Sequence, residues 1–392
     1  LAGIAFDTIW CLAALRLLKN RIWWGVLTIF LAGQAVAEFS LMRGWDWPVR
    51  LPQVVIVPVV VWHFFAIAFV LVAATPMGIA WGRRKIASKR NLTKGREASV
   101  AGQSNESRAL SRRQFLGACT AVAPPLFNIG VTGIALAQLQ RLRVRRFTVS
   151  IPTLPRALDG LTIAHVTDVH LGGLTTSRVL KQMVSDTNAL QPDLIVMTGD
   201  LINYELSDLQ EGIGLLKAMN SRYGLWMVEG NHDTFDDGDE FRRRVKAAGL
   251  QLLCDETAVV QARGYPVQFL GLKWLDGGGP QRDWLMRQQL RAVLRERQPD
   301  AFPILLAHHP HALDAAAKAG LPLTLSGHTH GGFWMLDNKH GVGPAVFRYW
   351  SGLYNKHGSQ MIVANGVGNW SSIPPIRVNA PAEVVHITLR CG

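Results

Sequence analysis

The stretch "PLTLSGHTHGG", residues 322–332, runs an apolar segment into an abruptly polar end. Leu323 to Ser326 have the length and composition of a buried strand. Gly327 permits a sharp turn, and His328 and His330 follow one residue apart before a glycine pair. Two histidines in a turn are ordinary on their own. The same event, however, recurs along the chain: "LTIAHVT" (161–167) runs into Asp168-Val169-His170, and "DLIVMTG" (193–199) ends on Gly199-Asp200. "GLWMVEG" (224–230) runs into Gly230-Asn231-His232-Asp233, and "FPILLA" (302–307) into His308-His309-Pro310. With "QMIVANG" (360–366) as a further strand and helical periodicity at 176–190, 205–220, 238–248, 281–296 and 311–319, the pattern predicts layers of sheet and helix, an α/β fold. In such folds ligands bind beyond the carboxyl ends of the strands, where these polar residues fall.

The side chains gathered there are carboxylates, imidazoles and one amide. They suit borderline divalent or trivalent cations such as manganese, iron or zinc. Taken singly, each motif reads as a turn or a helix cap. Five of them in order, each closing an apolar strand, make coincidence remote. Asp168-x-His170, Gly199-Asp200, Gly230-Asn231-His232-Asp233, His308 and Gly327-His328-x-His330 resemble the five-part signature of the calcineurin-like metallophosphoesterases, over roughly 145–392. The tail 364–389, with Pro374, Pro375 and Arg377, resembles the close of that family's membrane-associated bacterial branch. This branch includes proteins with twin-arginine signals and enzymes acting on phosphodiesters or lipid-linked pyrophosphates.

The resemblance implies a four-layer αββα sandwich with two metal ions at the sheet edge. Asp168, His170 and His330 would hold the first, Asn231, His308 and His328 the second, and Asp200 would bridge them. A hydroxide bridging the ions would attack phosphorus, with His232 giving a proton to the leaving oxygen. Asp233 is expected either to orient His232 or to cap the next helix. His309, the variable member of the family's His-x-Pro pattern, and His311 are expected at the rim. Two departures stand out. Purple acid phosphatases place a tyrosine three residues after the bridging aspartate, where this chain has Asn203, with Tyr204 one step off. Many members of the membrane branch follow the GHTHGG segment with glutamine, where Phe333 makes the floor more apolar.

The first part of the chain is different in kind. Of 13 tryptophans, seven lie in 1–81, among apolar runs at 2–18, 22–42 and 54–81 that are expected to form three transmembrane helices. Trp23, Trp24, Trp45, Trp47 and Trp81 fall near the ends of these runs, as an interfacial belt would. Residues 82–110 are polar and basic and read as a cytoplasmic linker. "SRRQFLGA" (111–118) resembles a twin-arginine signal and opens a fourth expected transmembrane helix, 111–138. Ten basic residues between Arg83 and Arg113 orient the downstream domain toward the periplasm or exterior, which implies the inner membrane of a bacterium.

The net charge of +13 comes from these flanks and from "RLRVRR" at 141–146. No aromatics are interleaved there for base stacking, so no nucleic acid is expected as a partner, and anionic lipid headgroups are. The four cysteines carry no CxxC and suggest no disulfide framework. The expected protein is thus a membrane-anchored phosphoesterase acting on phosphodiesters or lipid-linked phosphate groups. Competing readings are a hydrolase of nucleotide-linked lipid pyrophosphate at the cytoplasmic face, a metal-binding scaffold without turnover, and a transporter or sensor working through residues 1–81.

Overall fold

The computed structural model describes residues 112–392 except 173–174, 277–278, 338 and 370–376, together with isolated positions between 25 and 62. The three helices expected within 1–81, the linker 82–110 and the prolines 374 and 375 lie outside the described residues. Two compact units divide the chain at residue 134. The segment expected as a fourth membrane span forms helix α1 (Arg112–Leu139), whose side chains are described from Pro125 onward. Among the described residues no helix is long and apolar enough to cross a membrane.

The second unit is built on two six-stranded mixed sheets. Strands β1 (Leu142–Ile151), β2 (Thr162–Val166), β3 (Leu194–Thr198), β4 (Leu225–Val228), β5 (Gln251–Leu252) and β12 (Ala382–Cys391) form the first, in the order β1-β12-β2-β3-β4-β5. The second runs β10-β11-β9-β8-β7-β6. Its members are β6 (Glu256–Ala262), β7 (Tyr265–Gly271), β8 (Phe302–Leu306), β9 (Leu323–Ser326), β10 (Gly352–Lys356) and β11 (Ser359–Val363). Neighbours are parallel from β2 to β5 and from β7 to β11, which is why these strands read as continuous apolar runs buried on both faces.

Alternation along each strand sorts its side chains between two cores. On β2 and β3, Ile163, Leu194 and Val196 face the other sheet and meet Phe269, Ile304 and Leu325. The intervening Ala164, Val166, Ile195 and Met197 face outward onto α2 (Ser177–Ala189), α3 (Leu209–Lys217) and α4 (Gly238–Ala247), through Met183, Ile213 and Phe241. On the far side Leu270 and Leu305 meet Met286 and Leu290 of α5 (Gly279–Val293) and Ala316 of α6 (Ala312–Lys318). The short helix α7 (Val342–Val346) follows β9. The result is helix, sheet, sheet, helix, as the α/β reading anticipated. The domain begins earlier than the expected residue 145, because β1 starts at Leu142 and pairs with β12 along its whole length.

Candidate metal centre

All five strand-end segments converge at one edge of the sandwich. Parallel pairing sets β2, β3 and β4 side by side in register, so Asp168, Asp200 and Asn231 emerge from adjacent ends. The same holds for β8 and β9 in the facing sheet, which deliver His308 and His328. Glycines let these ends approach closely. A Cβ at Gly230 would stand 2.2 Å from Asp200 Oδ1, and one at Gly327 2.3 Å from Asp168 Oδ2.

Three buried groupings of potential ligand atoms result: Asp168, His170 and His330; His170, Asp200 and His232; Asp200, His308 and His328. In the first, His170 Nε2 lies 3.0 Å from His330 Nε2, and His330 Nε2 lies 3.3 Å from Asp168 Oδ1. In the third, His308 Nε2 is 3.2 Å from His328 Nδ1, which is 3.1 Å from Asn231 Oδ1. Asp200 Oδ2 stands between them, 3.6 Å from His170 Nε2 and 3.1 Å from His308 Nε2. Ligands at about 2.0–2.2 Å from a cation are spaced about 3–3.5 Å from one another, so these separations fit two cations sharing one carboxylate oxygen.

Hydrogen bonds away from the centre fix the rings. The Thr198 carbonyl can only accept, so the His308 Nδ1 2.6 Å away carries a proton, and Nε2 is turned to the centre, where it faces Asp200. A guanidinium can only donate, so Arg377 Nη2 meets a lone pair on His330 Nδ1 at 2.9 Å, and the neutral ring carries its proton on Nε2, which a bound cation would displace. Burial holds the His170, His328 and His330 imidazoles below the usual histidine range, His328 at about 3. They are therefore neutral, the form that ligates metals. Burial acts the same way on His308, but the Asp200 carboxylate outweighs it and lifts the ring to about 9. Asp200 itself is held well below the carboxylate range, against its burial, by His308 and His232, while burial raises Asp168 to about 6.

The structure places His232 beside these groups, buried and edge-on to His170, with ring centroids 4.5 Å apart. Its Nδ1 lies 2.5 Å from the Asn203 carbonyl, which leaves Nε2 to the site. Asp233 takes neither of its expected roles. Its carboxylate accepts the backbone N–H groups of Asp200, Leu201, Ile202 and Gly230 at 2.8–3.1 Å, and so holds the loops that carry Asp200 and Asn231. Burial and the Asp200 carboxylate push it up to about 8, against four donors that all need an acceptor. His309 is buried, not at the rim, with its ring 4.9 Å from His328 and 4.5 Å from His311.

Three contributors are not legible in sequence. Trp274, just past β7, packs 5.5 Å from His308 and 5.2 Å from His328 and walls that side of the centre. Asn203 stands out in sequence only for the tyrosine it replaces, yet it acts through its backbone, which no side-chain pattern reveals. Arg377 belongs to a recognisable tail, but its bond to His330 depends on the fold. Phe333 does stack on His330, with centroids 5.3 Å apart, and gives the apolar floor expected of it.

Residues 161–332, which carry these strand-end segments, match the family model of the calcineurin-like phosphoesterases. The chain carries a calcineurin-like metallophosphoesterase domain, that of a metal-dependent phosphoric ester hydrolase. Among similar proteins, an uncharacterised metallophosphoesterase of Bacillus subtilis is 29% identical over 72% of this chain and 98% of its own length. Another, from Campylobacter jejuni, is 29% identical over 64% of each chain. A zebrafish transmembrane protein with a metallophosphoesterase domain is 28% identical over 62% of this chain and 56% of its own. The chain therefore spans less than two thirds of two of these relatives. Of solved structures, a dimetal phosphatase from zebrafish aligns with 53% of this chain and 88% of its own at 12% identity, with a TM-score of 0.33.

Proposed function

We propose that the protein is a membrane-anchored phosphoesterase that holds two metal ions and hydrolyses phosphodiesters or lipid-linked phosphate groups at a bilayer surface. Asp168, His170 and His330 hold one ion, Asn231, His308 and His328 the other, and Asp200 both. The observation that carries this is the position of Asp200 Oδ2, within 3.6 Å of His170 on one side and 3.1 Å of His308 on the other. Manganese, iron or zinc bound there supplies Lewis acidity and lowers the pKa of bound water. As an imidazolium, His232 donates its Nε2 proton to the leaving oxygen and is left neutral, its Nδ1–H held by the Asn203 carbonyl. Phe333 and Trp274 exclude water from the two ends of the centre.

The apolar runs of 1–81 and the segment 111–138 support anchoring in a bacterial inner membrane, with the basic residues between them placing the catalytic domain outside. A periplasm-active reporter fused after Gly392 tests that orientation, and a silent reporter would favour the cytoplasmic pyrophosphatase reading. The function is tested on purified full-length protein reconstituted with each metal and assayed side by side on a phosphomonoester, a phosphodiester and a lipid pyrophosphate. Two metal ions per chain and turnover of the diester or lipid substrate are expected. Turnover of none of them with any metal would overturn the proposal. Asp200→Asn should weaken binding of both ions together, and retained activity in that variant would undo the bridging role.

A further inference from the structure

A cavity of about 470 Å³ lies where the chain enters the domain, walled by Gln138, Arg141, Arg143, Arg178, Gln182 and Pro381. Its size is that of a small-molecule site. The local sequence explains the lining. Arg141 and Arg143 alternate with Leu142 at the start of edge strand β1, so they share a side while Leu142 is buried. Arg178 and Gln182 are one helical turn apart at the start of α2 and share its face. Gln182 is tied to the Leu142 carbonyl at 3.3 Å and to Asp186 at 3.2 Å, and Gln138 accepts the Asn379 N–H at 3.0 Å.

Charge is unevenly spent among these arginines. Arg143 is paired to the buried Glu383, with two bonds of 2.7 and 3.0 Å to one carboxylate oxygen. Among the described residues Arg141 and Arg178 pair with no carboxylate, and no acidic side chain lines the cavity. Two uncompensated guanidinium groups on one cavity form a setting for a phosphate group, which takes forked N–H donors from more than one side.

Strand register places this cavity on the same sheet edge as the metal centre. Leu142 pairs with Ala382 at the start of β12, and β12 runs antiparallel to β2, so its start lies level with the end of β2, beyond which stands Asp168. We propose that this cavity is an anion site for a phosphate-bearing headgroup, separate from the metal centre. A phospholipid headgroup and free phosphate share the required chemistry, and binding does not depend on the catalytic reading.

The test uses full-length protein, stripped of metal with chelator so that the catalytic centre does not contribute, in a neutral detergent. Binding is measured calorimetrically with inorganic phosphate, short-chain phosphatidylglycerol and short-chain phosphatidylcholine, on the wild type and on Arg141→Gln/Arg178→Gln. The expected result is binding of phosphatidylglycerol in preference to phosphatidylcholine, weakened at least tenfold in the double variant, whose substituted side chains are exposed. Binding of inorganic phosphate alone, lost in the same variant, supports the site and assigns it to a soluble ligand. Binding that the double substitution leaves unchanged, or no binding of any probe, overturns the proposal.

Discussion

Replacing Arg377 by methionine isolates what a buried guanidinium contributes to this site. Arg377 is 3% exposed, and burial lowers its pKa to about 10, so it stays charged at neutral pH. Among the described residues no carboxylate bonds to it. Instead it donates to Asn365 O and Gly368 O at 2.6 Å, to His330 Nδ1 at 2.9 Å, and to the carbonyls of Gly366 and His330 at 3.2 Å. Methionine keeps most of the apolar stem and removes every donor. The three shortest contacts then become buried acceptors without partners, at roughly 1–3 kcal/mol each. Relief from burying a charge returns several kcal/mol, so the net destabilisation expected is about 2–4 kcal/mol. For a domain of this size that lowers Tm by roughly 5–15 °C.

The loss should not be uniform, because His330 would turn freely about a ring whose outer nitrogen is unheld. Loss of such a partner typically weakens metal affinity about 10–100-fold. Thermal unfolding of the metal-loaded protein measures the first effect, and manganese titration followed by electron paramagnetic resonance measures the second. A coupled dinuclear signal should give way to a mononuclear one as the ion at His330 is lost first. Arg377→Lys, which retains charge but not the planar fork, should fall between. A methionine variant that melts within 2 °C of the wild type and retains the coupled signal would refute the reasoning.

Other substitutions separate chemistry from scaffolding. His232→Ala should lower kcat about 10²–10⁴-fold with metal content still two per chain, and loss of one ion would instead make this histidine a ligand. Gly327→Ala should cut turnover about 10²-fold, since its Cβ would meet Asp168 Oδ2 at 2.3 Å and force the carboxylate aside by about an ångström. Gly214→Ala on α3, with nothing within 4 Å, is the control and should leave rate unchanged. Asp233→Asn puts an amide NH2 where two backbone N–H groups need an acceptor, and should destabilise by about 2–5 kcal/mol in chemical denaturation. An Asp233→Asn protein as stable as the wild type but inactive would return this residue to the chemistry.

The central strands were legible because parallel strands covered on both faces must be apolar throughout, and "LTIAHVT", "DLIVMTG" and "PLTLSG" each proved to hold one. What the sequence hid lies mostly at sheet edges. β1, "LRVRRFTVSI", is half exposed, so its arginines mask a period of two and the stretch reads as a basic flank. The hairpin β6–β7 turns at Arg263-Gly264, a signal that its mixed composition obscures. Trp274 and Arg377 reach the centre from loops, and nothing local to either sequence says where a loop will lie. Asp233 misleads for a related reason. A carboxylate beside a histidine suggests an acid–base pair, whereas four inward-turned N–H groups, invisible in sequence, compete for it and win.

Those inward-turned groups come from the backbone itself. Asp168, His170, Asp200, His328 and His330 all adopt left-handed conformations, with φ between 48° and 73°. Each costs an ordinary residue about 1–2 kcal/mol, so the arrangement persists only where neighbours over-determine it. Here they do. The loops after β2 and β3 continue the strand ladder, with Val169 and His170 donating to the Asp200 carbonyl and Leu171 to that of Leu201. Asp233 clasps the second loop from below, and Arg377 ties His330 to the carbonyls of Gly366 and Gly368. The imidazoles and carboxylates are thus aimed by the chain, and little side-chain freedom remains to be lost when cations arrive. In small zinc domains the metal organises the fold; here the fold supplies a finished set of donors, and its strained turns are the means by which five strand ends face one point.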